Sequence, residues 1–348
     1  MKTQVVLTVD TEPSIAGALS DPERYEPLLH EPVSGKIGGK SEALGFMIES
    51  LSRHGLRATF FVEALHTRYF PPEAMGGYVE ALLAADQDVQ LHLHPAWVNF
   101  ENGRPRPADP VSDNCSELAP DLLAALIEEG AAQIEAWSGR RPSAMRTGNF
   151  ATNLGVFQAM AAVGLQASSN LCQAVFPAAD PSLALTGGRH EIAGIRELPV
   201  TCFADRGPVG RGRLRPLQVT AVGGGEMIGL LRQLRRKHDD RGGLAVIVTH
   251  PFEFLKPGDF RYSRMAANRL VQNRFRDLCA FLARESEHFE VVTLGEAATR
   301  DPAARDPATQ DPGTQDPSAA EPAPPLLEGS AVPAMLRAGQ NFLNDRLP

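Results

Sequence analysis

Three apolar runs in this chain end on acidic or imidazole side chains and then stop at a proline: VDTEP at 9–13, HLHP at 92–95 and VTHP at 248–251. In a β-strand, residues two apart share a side. His92 and His94 then aim at one point while Leu91 and Leu93 face the opposite layer, and Asp10 and Glu12 share a side in the same way. Proline has no backbone N–H for a ladder, so each run ends there. Two imidazoles and one carboxylate form the ligand set of a catalytic zinc, with a position left for water. Such an ion lowers the pKa of bound water to roughly 7 and polarises a carbonyl oxygen. The remaining carboxylate can then serve as general base, and His250 as general acid to the leaving group.

Strand ends meet only if the strands are parallel neighbours, and the chain is patterned for that. Strands are predicted at 3–10, 57–64, 88–94, 142–148, 165–170, 195–200, 244–250 and 288–294. Helical periodicity lies between them: 42–55, the stretch from Pro71 to Asp86, 117–139, a helix around LGVFQAMAAVG, and a long helix from Met265 to Ser286. Such alternation predicts β-α units with right-handed crossovers. No G-x-G-x-x-G turn follows the first strand, which disfavours a dinucleotide fold. The expected class is α/β: a distorted (β/α) barrel of about seven parallel strands, whose C-terminal strand ends gather the reactive groups on one face. It carries a Pro-rich C-terminal extension.

That extension changes character at residue 301. Asp-Pro recurs at 301, 306, 311 and 316 and Glu-Pro at 321, a five-residue period that builds no core. The expected organisation is a catalytic barrel over 1–299, a disordered linker over 300–333, and a short amphipathic helix or tail over 334–348. That tail is expected to touch the domain or a partner.

Of 348 residues, 34 are basic and 42 acidic, a net charge of −8, so no global positive field favours nucleic acid or an anionic membrane. The basic segments RGRLRPL (211–217) and RQLRRKH (232–238) are read as solvated faces. No run of about 18 apolar residues predicts a membrane span. Cys115, Cys172, Cys202 and Cys279 are scattered without a C-x-x-C pair, and the first residues go straight into a strand. Both features suggest reduced thiols in a cytoplasmic protein.

VDTE, HLHP, RTGNF and VTHP, in this order and on these strands, resemble the motifs of the polysaccharide deacetylase family over about residues 3–298. The resemblance implies a distorted (β/α) barrel and a metal-dependent hydrolase of N- or O-acetyl groups on sugars. By it, Asp10 corresponds to the base aspartate, His92 and His94 to the metal histidines, Arg146 to the arginine that orients the base, and His250 to the histidine that protonates the leaving group. The chain departs from the family twice. Thr11 stands where a second, ligating aspartate is common, so Glu12 is taken as third ligand. One residue rather than three separates the histidines, which implies a shorter strand-to-loop transition and a different metal geometry.

Weaker substrate candidates are His30 and Glu31 in a glycine-rich loop, Trp97 as a face for a sugar ring, and Asn149 and Phe150 lining the pocket. The expected function is removal of an acetyl group from an acetylated sugar or glycan precursor with a divalent metal, zinc first among candidates. The alternatives are hydrolysis of a small non-sugar amide or imide, and a non-catalytic metal- or carbohydrate-binding module.

Overall fold

A computed structural model describes residues 1–106, 110–206, 212–238, 242–300 and 326–346. Its main sheet has nine strands: β1 (Thr3–Thr11), β2 (Thr59–Glu63), β3 (Asp88–Leu93), β4 (Ala144–Thr147), β5 (Ala167–Ser168), β6 (His190–Ile192), β7 (Ile195–Glu197), β8 (Leu244–Thr249) and β9 (Phe289–Val291). Their order is β6-β7-β5-β4-β3-β2-β1-β8, with β9 also paired to the start of β1. Every pairing is parallel except β6 with β7. The parallel set is thus eight strands rather than about seven, with one antiparallel strand at the edge. No ladder joins β7 to β8. Residues after β7 bridge the gap instead: Leu198 N–H donates to Ser168 O, Val200 N–H to Leu171 O and Thr201 N–H to Val246 O. The sheet is therefore a curled, distorted barrel, closed on this side by irregular chain.

The period-two alternation of the strands separates two apolar layers. Val5, Leu7, Val9, Leu91 and Leu93 face the helices. Val6, Phe61, Ala144, Val246 and Val248 fill the inside of the barrel. The outer layer is covered by α1 (Leu44–Ser52), α2 (Glu73–Ala84), α3 (Pro120–Ser138), α4 (Leu154–Ala162), α5 (Gly224–His238) and α6 (Arg269–Arg284), while α7 (Leu294–Thr299) packs Leu294, Ala297 and Ala298 into the inner cluster. Helix α3 lies tight on β3, since a β-carbon on Gly130 would come within 2.8 Å of Leu91. Cutting buried Leu91 back to alanine would cost on the order of 2–5 kcal/mol.

Local chemistry sets the helix ends. Helix α3 has proline in its first turn and stops at Gly139, in the left-handed region at φ +71°. Helix α7 opens with a capping box between Thr293 and Glu296. The helix expected from Met265 begins later. Met265–Ala267 pairs antiparallel with Leu255–Pro257, and Asn268 then caps α6 by accepting from Val271 N–H. Three apolar residues carry no period that separates strand from helix, so this hairpin was not legible.

A smaller sheet joins Cys202–Asp205 to Arg213–Pro216 and Leu327–Glu328. The final helix, α8 (Ala331–Arg346), starts three residues before the expected boundary at 334. The Asp-Pro repeat at 301–321 lies outside the described residues. All four cysteines are free and buried. Cys172 and Cys202, 30 positions apart, share the inner apolar cluster, where Cys202 Sγ–H donates to the Val200 carbonyl at 3.5 Å. Among the described residues, no helix is long and apolar enough to cross a membrane.

Candidate metal centre and acid–base groups

Register brings the reactive strand ends into one row. Glu63 on β2 pairs with His92 on β3, which pairs with Arg146 on β4. With Leu91 and Leu93 packed outward, the inward set is His92 at the strand's end and His94 one residue beyond it, still extended before Pro95 turns the chain. Glu12 reaches the same place from just past β1. Ligand atoms of Glu12, His92 and His94 lie within 4.8 Å of one another. Nε2 of His92 is 2.9 Å and Nε2 of His94 is 2.7 Å from the same Glu12 oxygen.

The other nitrogen of each ring is already committed. His92 Nδ1–H donates to the Arg146 carbonyl at 2.9 Å, and His94 Nδ1–H donates to Asp113 at 2.8 Å. Both acceptors fix the Nδ1–H tautomer and leave the Nε2 lone pairs facing the Glu12 oxygen. This donor set fits a divalent metal. Its electrostatics agree. Burial would raise the Glu12 carboxyl, but His94 and His92 outweigh it and hold the group well below the usual carboxylate range. Burial likewise opposes a charged His94, yet Glu12 and Asp113 push that imidazole well above its ordinary value. A cluster that draws a proton onto a buried imidazole is one where a cation can displace that proton.

Beside this cluster sits a second pair. Arg146 is fully buried, and its NH1 donates to Asp10 at 2.7 Å and to Thr8 at 2.9 Å. Its other nitrogens hold the Ser169 carbonyl and hydroxyl, and its plane lies over Phe61 and Phe150. Asp10 is thereby locked in orientation, with its second oxygen 3.6 Å from His250 Nε2. His250 Nδ1–H donates to Glu253 at 2.9 Å. Burial lowers the His250 pKa, but the Glu253 hydrogen bond and charge, then Asp10, outweigh it and raise it to about 9. Glu253 is itself fixed by Thr249 Oγ1–H at 2.7 Å and by Gln218.

Three site carboxyls escaped the sequence reading. Glu63 ends β2 as the other acids end their strands, but no proline marks it. It accepts from the backbone N–H groups of Leu65 at 2.5 Å and His94 at 2.6 Å, and burial raises it to about 8. Asp113 comes from a loop 19 residues beyond His94, and no local pattern points to it. Glu253 did leave a signal, since it lies three residues after His250 in HPFE.

The weaker candidates divide. Asn149 reaches the centre indirectly by donating from Nδ2 to Asp113 at 2.9 Å. Phe150, 6 % exposed, packs in the inner core against Arg146. Both hold left-handed backbone, φ 56° and 55°, a strain of order 1–3 kcal/mol each that surrounding contacts must support. Trp97 is corrected: it is 1 % exposed among the rings of His66, Phe70 and Phe100, so neither face is open to a sugar. His30 is exposed and bonded to Tyr78, and no described contact links it or Glu31 to the centre. Tyr262, at φ 57° near the tip of the 255–267 hairpin, was missed. Burial and then the nearby Glu12 charge raise its phenol.

No protein-family model and no curated protein matches the chain. Solved structures do. A protein of Mycobacterium smegmatis assigned as a polysaccharide deacetylase matches with a TM-score of 0.52 at 16% identity, over 85% of this chain and 89% of that one. A family 4 carbohydrate esterase from Streptomyces lividans in complex with acetate matches at 0.40 and 13% identity, over 82% and 90% of the two chains. A CE4 family pseudoenzyme from Bacillus anthracis matches at 0.41 and 12% identity, over 85% and 66%. At these identities the likeness concerns the fold alone. The M. smegmatis match places this chain's distorted (β/α) barrel in the fold class of the polysaccharide deacetylases.

Proposed function

We propose that this protein is a metal-dependent hydrolase that removes an acetyl group from an N-acetylated or O-acetylated sugar or glycan precursor. The observation that carries this is the grouping on one barrel face of a Glu12–His92–His94 donor set, an Arg146-bound Asp10 and a Glu253-bound His250. A divalent ion such as zinc, held by Glu12, His92 and His94, would supply water activation and carbonyl polarisation.

The chain's own groups do the rest. Asp10, aimed by Arg146, accepts the proton of the attacking water. His250, kept charged by Glu253, donates its proton to the departing amine or alkoxide. Asp113 and the Arg146 carbonyl hold the two imidazoles in one tautomer throughout. A pure binding module would have no use for this pair of oppositely charged acid–base groups beside the donor set.

Acetate release from N-acetylated and O-acetylated mono- and oligosaccharides, after reconstitution with zinc, tests the reading. Release from one of them, abolished by Asp10→Asn, supports it. Bound metal with no acetate from any sugar contradicts it and moves the substrate to a small amide or imide.

A further inference from the structure

The hairpin over 255–267 is anchored at both ends of the site. Its first strand, Leu255–Pro257, follows the short turn Pro251–Phe254, which begins directly after His250. Asn268 fixes this base: its N–H donates to the Phe254 carbonyl at 2.7 Å and its Nδ2 to the Glu253 carbonyl at 3.2 Å. The tip is fixed on the loop that follows Glu12. That loop is closed by two backbone hydrogen bonds between Ser14 and Leu28, both 2.7 Å. Arg261 donates to the carbonyl of Ala16 at 3.1 Å and to that of Glu26, and it lies over the Tyr25 ring. Phe260 meets the same ring edge-on at 5.2 Å, and a β-carbon on Gly17 would fall 3.4 Å from Phe260.

Tyr262 comes next after those anchors. Asp259 holds the turn there. Its carbonyl accepts Tyr262 N–H at 3.1 Å, and its carboxylate accepts the N–H groups of Arg261 and Ser263 at 2.9 and 3.1 Å. Tyr262 is thereby set in the left-handed region, φ 57°, which a bulky residue adopts only where its surroundings impose it. Residues held in this way cluster at active sites. The side chain is partly buried, and its phenol feels the Glu12 charge. A phenol taken out of water normally finds a hydrogen-bond partner. This one has none among the described residues, and it does not bond Glu12 itself.

The surrounding chemistry says what that hydroxyl is for. The nearby donors are committed: Arg146 to Asp10, Thr8 and Ser169, Asn149 to Asp113, and His250 to Glu253. Burial and the Glu12 charge keep the phenol protonated, so it is a donor. An acyl oxygen under attack gains negative charge, and a neutral O–H fixed beside it stabilises that charge.

We propose that Tyr262 is a further catalytic residue, whose phenol O–H donates to the acyl oxygen of a substrate bound at the Glu12–His92–His94 donor set. This rests on the hydrolase reading above.

Tyr262→Phe tests it, because the variant keeps the ring and removes only the hydroxyl. In the zinc-reconstituted chain, kcat for acetate release should fall about 10²-fold, with zinc affinity unchanged. Acetohydroxamate, which offers an acyl oxygen to a metal without turnover, gives a reading separate from activity. By calorimetry it should bind the variant about tenfold more weakly than the wild type. A Tyr262→Phe chain with wild-type kcat overturns the proposal and leaves the hydrolase reading standing, and so does one that loses activity but keeps its acetohydroxamate affinity. A wild-type chain that binds zinc but releases no acetate from any sugar overturns the hydrolase reading. In that case, weaker acetohydroxamate binding by the variant still supports Tyr262 as the acyl-oxygen contact, and equal binding overturns it. A wild-type chain that binds no acetohydroxamate overturns it as well.

Discussion

The His94 imidazole rests on the backbone of Gly148: a β-carbon at that position would fall 2.4 Å from ring atoms Cε1 and Nδ1. Any side chain at 148 must therefore displace the ring, because contacts under 3 Å are not tolerated in a packed interior. The glycine of the RTGNF segment makes room for one candidate ligand, while Arg146 two residues earlier accepts from the other through its carbonyl.

Gly148→Ala should then weaken metal binding without unfolding the chain. An affinity loss of about 10–100-fold is expected, the size seen when a ligand's support is removed. Zinc titration of the variant checks this, with a thermal melt to show that the fold persists. Unchanged affinity would mean that His94 is not a ligand.

Asp113→Asn removes the carboxylate acceptor that holds the His94 tautomer. A similar loss, about 10–100-fold in metal affinity, is expected. The charge effect has a definite sign: Asp113 helps hold His94 above its ordinary pKa. Its neutral replacement should lower that pKa, as an NMR titration of the metal-free protein would read.

His250 makes a pH prediction. Its pKa in the folded protein is about 9 against an ordinary 6.5. A raised imidazole contributes stability that is fully present below about 6.5 and lost as pH rises through about 9. The protonated form is also the one a general acid needs, so turnover should fall on the alkaline side near pH 9. Glu253→Gln should move that limb to lower pH, and His250→Ala should cut kcat by about 10²–10⁴-fold. A pH–rate profile that Glu253→Gln leaves unmoved would remove His250 from the acid role.

Arg146→Ala takes from buried Asp10 its hydrogen-bonded cationic partner, at a cost of about 3–5 kcal/mol. Denaturant unfolding should show that loss. Arg146→Lys should rescue little of it, since one ammonium cannot reach Asp10, Thr8 and both Ser169 acceptors together.

Much of this site was legible because strands obey a period of two. The alternation Leu91, His92, Leu93, His94 alone implied which residues turn inward, and three proline-terminated strand ends implied one shared face. Residues placed by tertiary contacts were not legible. Asp113 reaches His94 from a loop whose path no periodicity specifies. Trp97 follows the second histidine closely in sequence, yet rings from separate segments enclose it. Helix α8 was legible as amphipathic, but its docking depends on Arg337 meeting Glu226 and Asp205, more than 100 residues away.

The most direct measurement is the metal content of the purified chain beside Glu12→Ala and His92→Ala, with acetate release from acetylated sugars in the same samples. The account predicts one divalent ion per wild-type chain, and loss of both metal and acetate release in each variant. A wild-type chain that binds no metal after reconstitution, or a His92→Ala variant with full metal and full activity, would contradict it.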